Sequence, residues 1–155
     1  MSHNDWSYDP FTQRQLSVYI DDRTRLITSF GLFHRATTEN SIALLKSSIA
    51  DYGKPTCVMT DHGSQFYINR PEATQEYTKF RIALDVLGIR HYVAKVNRLQ
   101  TNGKVERFFL TYKTEYATGS FSCLKDFIKH YIEEMPHMSL NYKTPKEVWD
   151  ELINV

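Results

Sequence analysis

Residues 100–109 read Gln100-Thr101-Asn102-Gly103-Lys104-Val105-Glu106-Arg107-Phe108-Phe109, so that one acidic residue lies among basic and aromatic neighbours. The pair Asn102-Gly103 interrupts the segment before it, and a helix-compatible run continues to about Tyr116. A single carboxylate cannot by itself hold the cations that phosphoryl chemistry uses. The stretch therefore raises the question of which other carboxylates meet Glu106 in the folded chain.

Two other acidic residues are candidates for this meeting. Asp61 follows a short apolar strand predicted at residues 56–60, and Gly63 permits a sharp turn directly after it. Asp5 lies in the first predicted strand, where Asp9 is an alternative in another register. Because Asp9-Pro10 favours a turn, we prefer Asp5 and keep Asp9 open. Asp21 and Asp22 are predicted to form a hairpin turn instead.

The hydrophobic pattern predicts one α/β domain over residues 1–155 with a five-stranded mixed sheet flanked by helices. The strands are predicted at residues 3–8, 16–20, 25–33, 56–60 and 89–94. The helices are predicted at residues 38–52, 74–87, from 103 to about 116, at 122–135, and from the capping box Thr144-Pro145-Lys146-Glu147 onward. The apolar stripe of the first helix is predicted to be Ile42, Leu45 and Ile49. If the first and fourth strands are parallel neighbours, Asp5 and Asp61 lie side by side, and the helix of Glu106 can complete the cluster.

Composition excludes several classes of protein. The chain has 155 residues and is 41% hydrophobic, yet no apolar run approaches the ~20 residues of a membrane span. No signal-peptide pattern is present, which predicts a cytoplasmic protein. Cys57 and Cys123 are far apart and are expected to be reduced and buried, and no cysteine or histidine spacing predicts a zinc site.

Charge is unevenly distributed along the chain. Residues 79–113 contain eight Lys or Arg against two acids, whereas residues 115–151 contain seven acids against four Lys. A basic segment around one acid favours a site for a polyanion and a cation, although a solvated charged face is an alternative. We expect this segment, including Arg98, Lys104 and Arg107, to contact DNA phosphates.

Clustered carboxylates repel one another unless a cation compensates their charge. Mg²⁺ or Mn²⁺ suits such a cluster, because both are hard ions that prefer oxygen ligands. Two such ions roughly 3.5–4 Å apart can stabilise the attacking and leaving oxygens of an in-line phosphoryl displacement. The three acidic residues therefore predict a two-metal site.

Two blocks carry a resemblance to a known family. Thr60-Asp61-His62-Gly63-Ser64-Gln65-Phe66 and Gln100-Thr101-Asn102-Gly103-Lys104-Val105-Glu106-Arg107 resemble the second and third catalytic blocks of the DDE integrase/transposase core, the retroviral-integrase-like domain of insertion-sequence transposases. The segment from Met135 to Pro145 resembles the C-terminal part of the same core. The resemblance covers nearly the whole chain.

The resemblance implies an RNase H-like fold and DNA strand cleavage and transfer by a multimeric enzyme, here expected to be nucleoid-associated in a prokaryote. It implies that Asp5, Asp61 and Glu106 are the metal ligands. It also implies that Lys113, Asn102 and Ser64 lie near bound DNA.

Some features depart from the family pattern. The proline usual before the third block is absent, 44 residues separate Asp61 from Glu106, and the chain starts almost on Asp5. These departures favour a core domain from a longer protein or a decayed element. A catalytically inactive DNA-binding or assembly module is therefore the alternative function, and a ribonuclease H or junction-resolving nuclease is a third.

Overall fold

The computed structural model of the protein describes residues 1–63, 66, 78–94 and 103–155. Its strands are β1 (Ser2–Asp9), β2 (Arg14–Asp21), β3 (Ile27–Phe33), β4 (Cys57–Thr60) and β5 (Arg90–Val93). Its helices are α1 (Thr38–Tyr52), α2 (Lys79–Val86), α3 (Gly103–Thr118), α4 (Leu124–Glu133) and α5 (Pro145–Ile153), with a short 3₁₀ helix at Met138–Leu140.

The strands form one mixed sheet in the order β3-β2-β1-β4-β5. The first three strands pair antiparallel through short turns, and β4 and β5 add in parallel on the other side of β1. The five-stranded mixed sheet predicted from the sequence is therefore confirmed, as is the parallel pairing of the first and fourth strands.

Each face of the sheet buries its own apolar core, because successive side chains of a strand point to opposite faces. Leu16, Val18 and Ile20 of β2 pack under α3 and α4. Tyr19 of the same strand faces the other way, toward α1 and α2. Phe108, Phe109 and Tyr112 of α3 are all buried on the first of these faces.

The buried stripe of α1 differs from the prediction. Leu45 is buried as expected, but Ile42 and Ile49 are only partly buried, while Ser41 and Ser48 are inside. Hydrogen bonds explain the difference, because buried hydroxyls are tolerated when they are paired. Ser41 Oγ accepts from Trp6 Nε1 at 3.0 Å, and Ser48 Oγ donates to Thr28 Oγ1 at 2.8 Å.

The helix ends follow the local chemistry of the sequence. Thr144 and Glu147 form the predicted capping box, with Pro145 in the first turn of α5. The predicted start of the second helix at residues 74–77 lies outside the described residues, which place α2 from Lys79 onward. Cys57 is buried as expected, but Cys123 is exposed, because it precedes the first turn of α4 instead of packing beneath it. In the described part of the chain, no helix is long and apolar enough to cross a membrane.

Candidate active site

Strand β1 presents its odd-numbered side chains to α3. Asp5 pairs with Val18 in the antiparallel register, and directly opposed residues share a face of the sheet. Val18 belongs to the core under α3. Asp5 therefore points toward the helix that carries Glu106.

The parallel register places Asp61 beside Asp5. Asn4 pairs with Thr60, so the next residue of each strand is one of the two aspartates. The two carboxyl groups lie close enough for the Asp61 charge to act on Asp5. Asp5 Oδ1 also accepts from the Trp6 backbone N–H at 2.7 Å, and Asp61 Oδ1 accepts from the Gly63 N–H at 2.9 Å. Each carboxylate is thus held by its own strand end or turn.

The electrostatics of Asp5 reflect this crowding. Burial and the neighbouring charge of Asp61 raise the pKa of Asp5 to about 7, with a smaller contribution from Glu106 and a partly opposing effect of the Trp6 N–H bond. Crowding of two carboxyl groups in a partly buried position thus favours the protonated form of Asp5.

Glu106 lies close enough to influence Asp5 but does not close a three-residue cluster. It is exposed in the first turn of α3, and its charge contributes to the raised pKa of Asp5. Within residues 1–63, 66, 78–94 and 103–155, no three His, Cys, Asp or Glu side chains stand close enough together to hold a metal ion. The oxygen donors of these acidic residues fit a hard divalent cation, provided that Glu106 turns toward the aspartates.

Asp9, the alternative first carboxylate, has a different position. It is 1% exposed at the far end of β1. Its carboxylate accepts from the Phe11 backbone N–H at 3.1 Å and from the Thr12 hydroxyl, as the turn prediction requires. It also accepts from the Tyr112 hydroxyl at 3.2 Å. Asp9 therefore holds a turn and anchors α3.

The predicted hairpin-turn residues are confirmed in that role, and one of them has a second role. Asp21 Oδ2 accepts from the Arg23 and Thr24 backbone N–H groups at 3.1 and 2.9 Å. Asp22 Oδ1 lies 2.7 Å from Lys104 Nζ and 2.9 Å from His3 Nε2. Burial disfavours its charge, but the hydrogen bonds and charges of Lys104 and His3 outweigh burial and lower the pKa of Asp22.

The residues predicted to contact DNA separate onto two flanks of α3. Lys113 is exposed and follows Glu106 by seven residues, which places both side chains on one flank. Lys104 and Arg107 lie on the other flank, where both line a cavity. Ser64, Arg98 and Asn102 lie outside the described residues.

Comparison with solved structures defines the class of fold. The chain aligns over 99% of its length with the catalytic core domain of BIV integrase, at 16% identity, a TM-score of 0.76 and 95% coverage of that chain. The HTLV-2 integrase catalytic core domain in complex with magnesium aligns over 96% of this chain and 94% of its own, with 18% identity and a TM-score of 0.67. The chain therefore has the RNase H-like fold of retroviral integrase catalytic cores, as the resemblance implied.

Sequence comparisons find relatives of the same kind. The integrase core domain family matches residues 87–145, which include Glu106 and the C-terminal segment. The chain is also 32% identical over 143 residues to the "Putative integrase ORF3" of Spiroplasma virus SpV1-C74, which covers 82% of this chain. The chain therefore resembles integrase core domain proteins in sequence as well as in fold. It spans 39% of the length of that curated relative.

Proposed function

We propose that this protein is the catalytic core of a DNA integrase or transposase, which cuts and joins DNA strands with the help of divalent cations. The observation that carries the proposal is the side-by-side placement of Asp5 and Asp61 beneath the helix of Glu106, with the Asp61 charge acting on Asp5. The match of residues 87–145 to the integrase core domain family supports it. We take Asp5, Asp61 and Glu106 as the metal ligands and assign DNA contacts to Lys113, Lys104 and Arg107, with Ser64, Asn102 and Arg98 proposed from the sequence alone.

Each of the three acidic residues has a distinct part in this proposal. Asp61 is oriented by the Gly63 N–H, so that its second carboxylate oxygen can serve as a ligand. Because its pKa is raised to about 7, Asp5 can release its proton near neutral pH and bind a cation in its place. Glu106 closes the site from α3. Bound Mg²⁺ or Mn²⁺ would supply activation of the attacking oxygen and stabilisation of the leaving oxygen.

The partners of this function are DNA and further copies of the chain. A chain of the simian T-cell lymphotropic virus intasome matches this chain with a TM-score of 0.69, 23% identity, 96% coverage of this chain and 53% of that chain. The HTLV-2 core was solved in a dimeric form. We propose by analogy that a multimer of this protein holds the DNA ends.

A second function is favoured by one specific observation. Since no three described acidic groups are close enough to hold a metal ion, the chain could instead serve as a DNA-binding or assembly module without catalysis. The two proposals differ in what a cation does. A catalytic core is stabilised by Mn²⁺ and nicks DNA, whereas an inactive module binds DNA with neither effect.

Nicking of supercoiled plasmid DNA in the presence of Mn²⁺ separates the two proposals. We expect the intact protein to convert the plasmid to the open circle, and Asp61→Asn and Glu106→Gln each to abolish the conversion. Asp51→Asn is the matched control, because Asp51 is exposed at the end of α1 and should leave nicking unchanged. Nicking that survives in Asp61→Asn or Glu106→Gln would refute the assigned site, and DNA binding without nicking would favour the inactive module.

A further inference from the structure

A cavity of about 640 Å³ lies beside the first turn of α3, on the flank away from Glu106. It is lined by Arg25, Gly103, Lys104, Arg107, Tyr131, His137, Met138 and Ser139. Three of these residues are permanent cations and none is acidic. The positive end of α3 opens at Gly103, which adds a favourable field for an anion.

Arg25 is the residue that makes this cavity unusual. It follows the β2–β3 turn, is partly buried, and donates one hydrogen bond, from Nη1 to the Asp22 backbone oxygen at 3.3 Å. It lines the cavity together with Tyr131 of α4 and His137, and its positive charge acts on both of these side chains. Within the described ranges it forms no ion pair with a carboxylate. A partly buried guanidinium without a counter-ion is a group that an anion would stabilise.

The backbone at Arg25 has a strained conformation. Arg25 has φ +63°, a left-handed conformation that a long side chain rarely adopts and that costs of order 1 kcal/mol or more. Glycine would adopt this conformation without that cost. The turn is fixed by Arg25 N–H donating to the Asp21 carbonyl at 2.9 Å. Strain retained at a cation that faces a cavity points to a role in binding.

The other charged groups around the cavity leave Arg25 uncompensated. Asp22, whose backbone oxygen accepts from Arg25, has its carboxylate already engaged by Lys104 at 2.7 Å and by His3 at 2.9 Å. Lys104 therefore contributes less free charge than its position suggests. Arg107 is exposed at the cavity mouth and has no ion pair in the described part of the chain. The net field of the cavity is positive.

We propose that this cavity binds a phosphate of the nucleic-acid backbone, with Arg25 as its principal cation and with Arg107 and the start of α3 as supports. A strand held there would cross the first turn of α3 and reach Glu106 on the opposite flank, since Lys104 and Glu106 lie about 160° apart around the helix. Arginine suits this role because its planar fork matches two phosphate oxygens. The inference rests on the proposed function for the identity of the ligand as DNA.

Fluorescence anisotropy with a labelled DNA duplex, measured without divalent cations over a series of salt concentrations, tests the inference. Arg25→Gly removes the guanidinium and relieves the backbone strain, so the variant should unfold at the same or a higher temperature. We expect its affinity at low salt to fall about 3–10-fold and the slope of log K against log salt to decrease by about 0.9, the effect of one lost phosphate contact. Arg107→Gln should act in the same direction.

Lys46→Ala is the matched control. Lys46 is exposed on α1, across the sheet from α3, so its removal should leave the affinity and the salt slope unchanged. Wild-type affinity and slope in Arg25→Gly would overturn the proposal, as would lost affinity with an unchanged slope. If Arg25→Gly does not fold, an unchanged slope in Arg107→Gln overturns it instead. Asp61→Asn separates the phosphate site at Arg25 from the proposed catalytic function. This variant should abolish nicking while keeping the wild-type salt slope.

Discussion

The Tyr112 hydroxyl donates a hydrogen bond of 3.2 Å to Asp9 Oδ1, across 103 residues of sequence. Both groups are buried, and burial together with the Asp9 charge raises the pKa of Tyr112 well above its usual value. The bond ties the middle of α3 to the end of β1. Lys104 ties the start of the same helix to Asp22, at the other end of β1. These two contacts fix α3 along β1 and thereby position Glu106 relative to Asp5.

Tyr112→Phe should therefore weaken both the fold and the site. Removing the hydroxyl leaves a buried carboxylate with one partner fewer, which costs about 1–3 kcal/mol of the free energy of unfolding. Urea unfolding of the intact protein measures this change. Tyr142→Phe is the control, because Tyr142 is 71% exposed and should tolerate the change within about 0.5 kcal/mol. Equal stability of Tyr112→Phe and wild type would show that the bond does not anchor α3.

The raised pKa of Asp5 predicts an unusual pH dependence of folding stability in the absence of metal. Its folded pKa of about 7 lies above the ordinary value of 3.8, so the folded state holds a proton that the unfolded state has lost between these values. Stability from this group is complete below pH 3.8 and is lost as the pH rises through 7. Asp5→Asn cannot lose a proton, so its stability relative to wild type should rise across that range, by a few kcal/mol in order of magnitude.

Thermal unfolding of both proteins in a metal-free buffer series from pH 4 to pH 8 checks this expectation. Asp51→Asn, at an exposed position, is the comparison for a change of charge alone. Mn²⁺ should reverse the effect in the wild type, because the cation replaces the proton on the paired carboxylates. A constant difference between Asp5→Asn and wild type at all pH values would contradict the raised pKa.

The lowered pKa of His91 predicts the opposite pH dependence of folding stability, with a loss of stability at acidic pH. It is 9% exposed, and Thr60 Oγ1 lies 2.9 Å from its Nε2. Burial, and to a lesser extent the charge of Arg81, lowers its pKa to about 4. The folded pKa is below the ordinary value, so the stability from neutral His91 is present above pH 6.5 and is lost as the pH falls toward 4.

The size of the His91 effect can be measured directly. The lowering of the His91 pKa from 6.5 to about 4 corresponds to roughly 3 kcal/mol, since one pKa unit equals 1.36 kcal/mol. A histidine NMR titration of the folded protein should find no protonation of His91 above about pH 5. Exposed His34 provides the internal reference in the same spectra. Protonation of His91 near pH 6.5 would refute the prediction.

How much of the fold and of the candidate site can be predicted from sequence depends on how far apart in the chain the interacting residues lie. The Asp5–Asp61 pair follows from strand periodicity and from the parallel neighbourhood of β1 and β4, both of which leave local patterns. The ion pair between Asp22 and Lys104 spans 82 residues and depends on where α3 crosses the sheet, which no local pattern records.

The start of β3 at Arg25 shows that contacts between residues close in sequence can also be missed. The pattern from residue 25 to residue 33 predicts strand, because Leu26, Phe30 and Leu32 share one face. The observed strand starts at Ile27, since the Asp21 carboxylate organises the preceding turn and holds Arg25 outside the ladder. A side chain can thus be displaced from its predicted element by one neighbouring carboxylate.

Lys113 tests whether the flank of α3 that carries Glu106 contacts DNA. The seven-residue separation from Glu106 places Lys113 about 10.5 Å further along the helix on the same side, within reach of a strand bound at the carboxylates. Lys113→Glu replaces an attraction to phosphate with a repulsion, so DNA affinity at low salt should fall by more than tenfold while the midpoint of thermal unfolding changes little. Lys129→Glu, at an exposed position of α4, is the matched change. If both variants lose affinity equally, the effect comes from net charge alone, and Lys113 has no particular place on the DNA path.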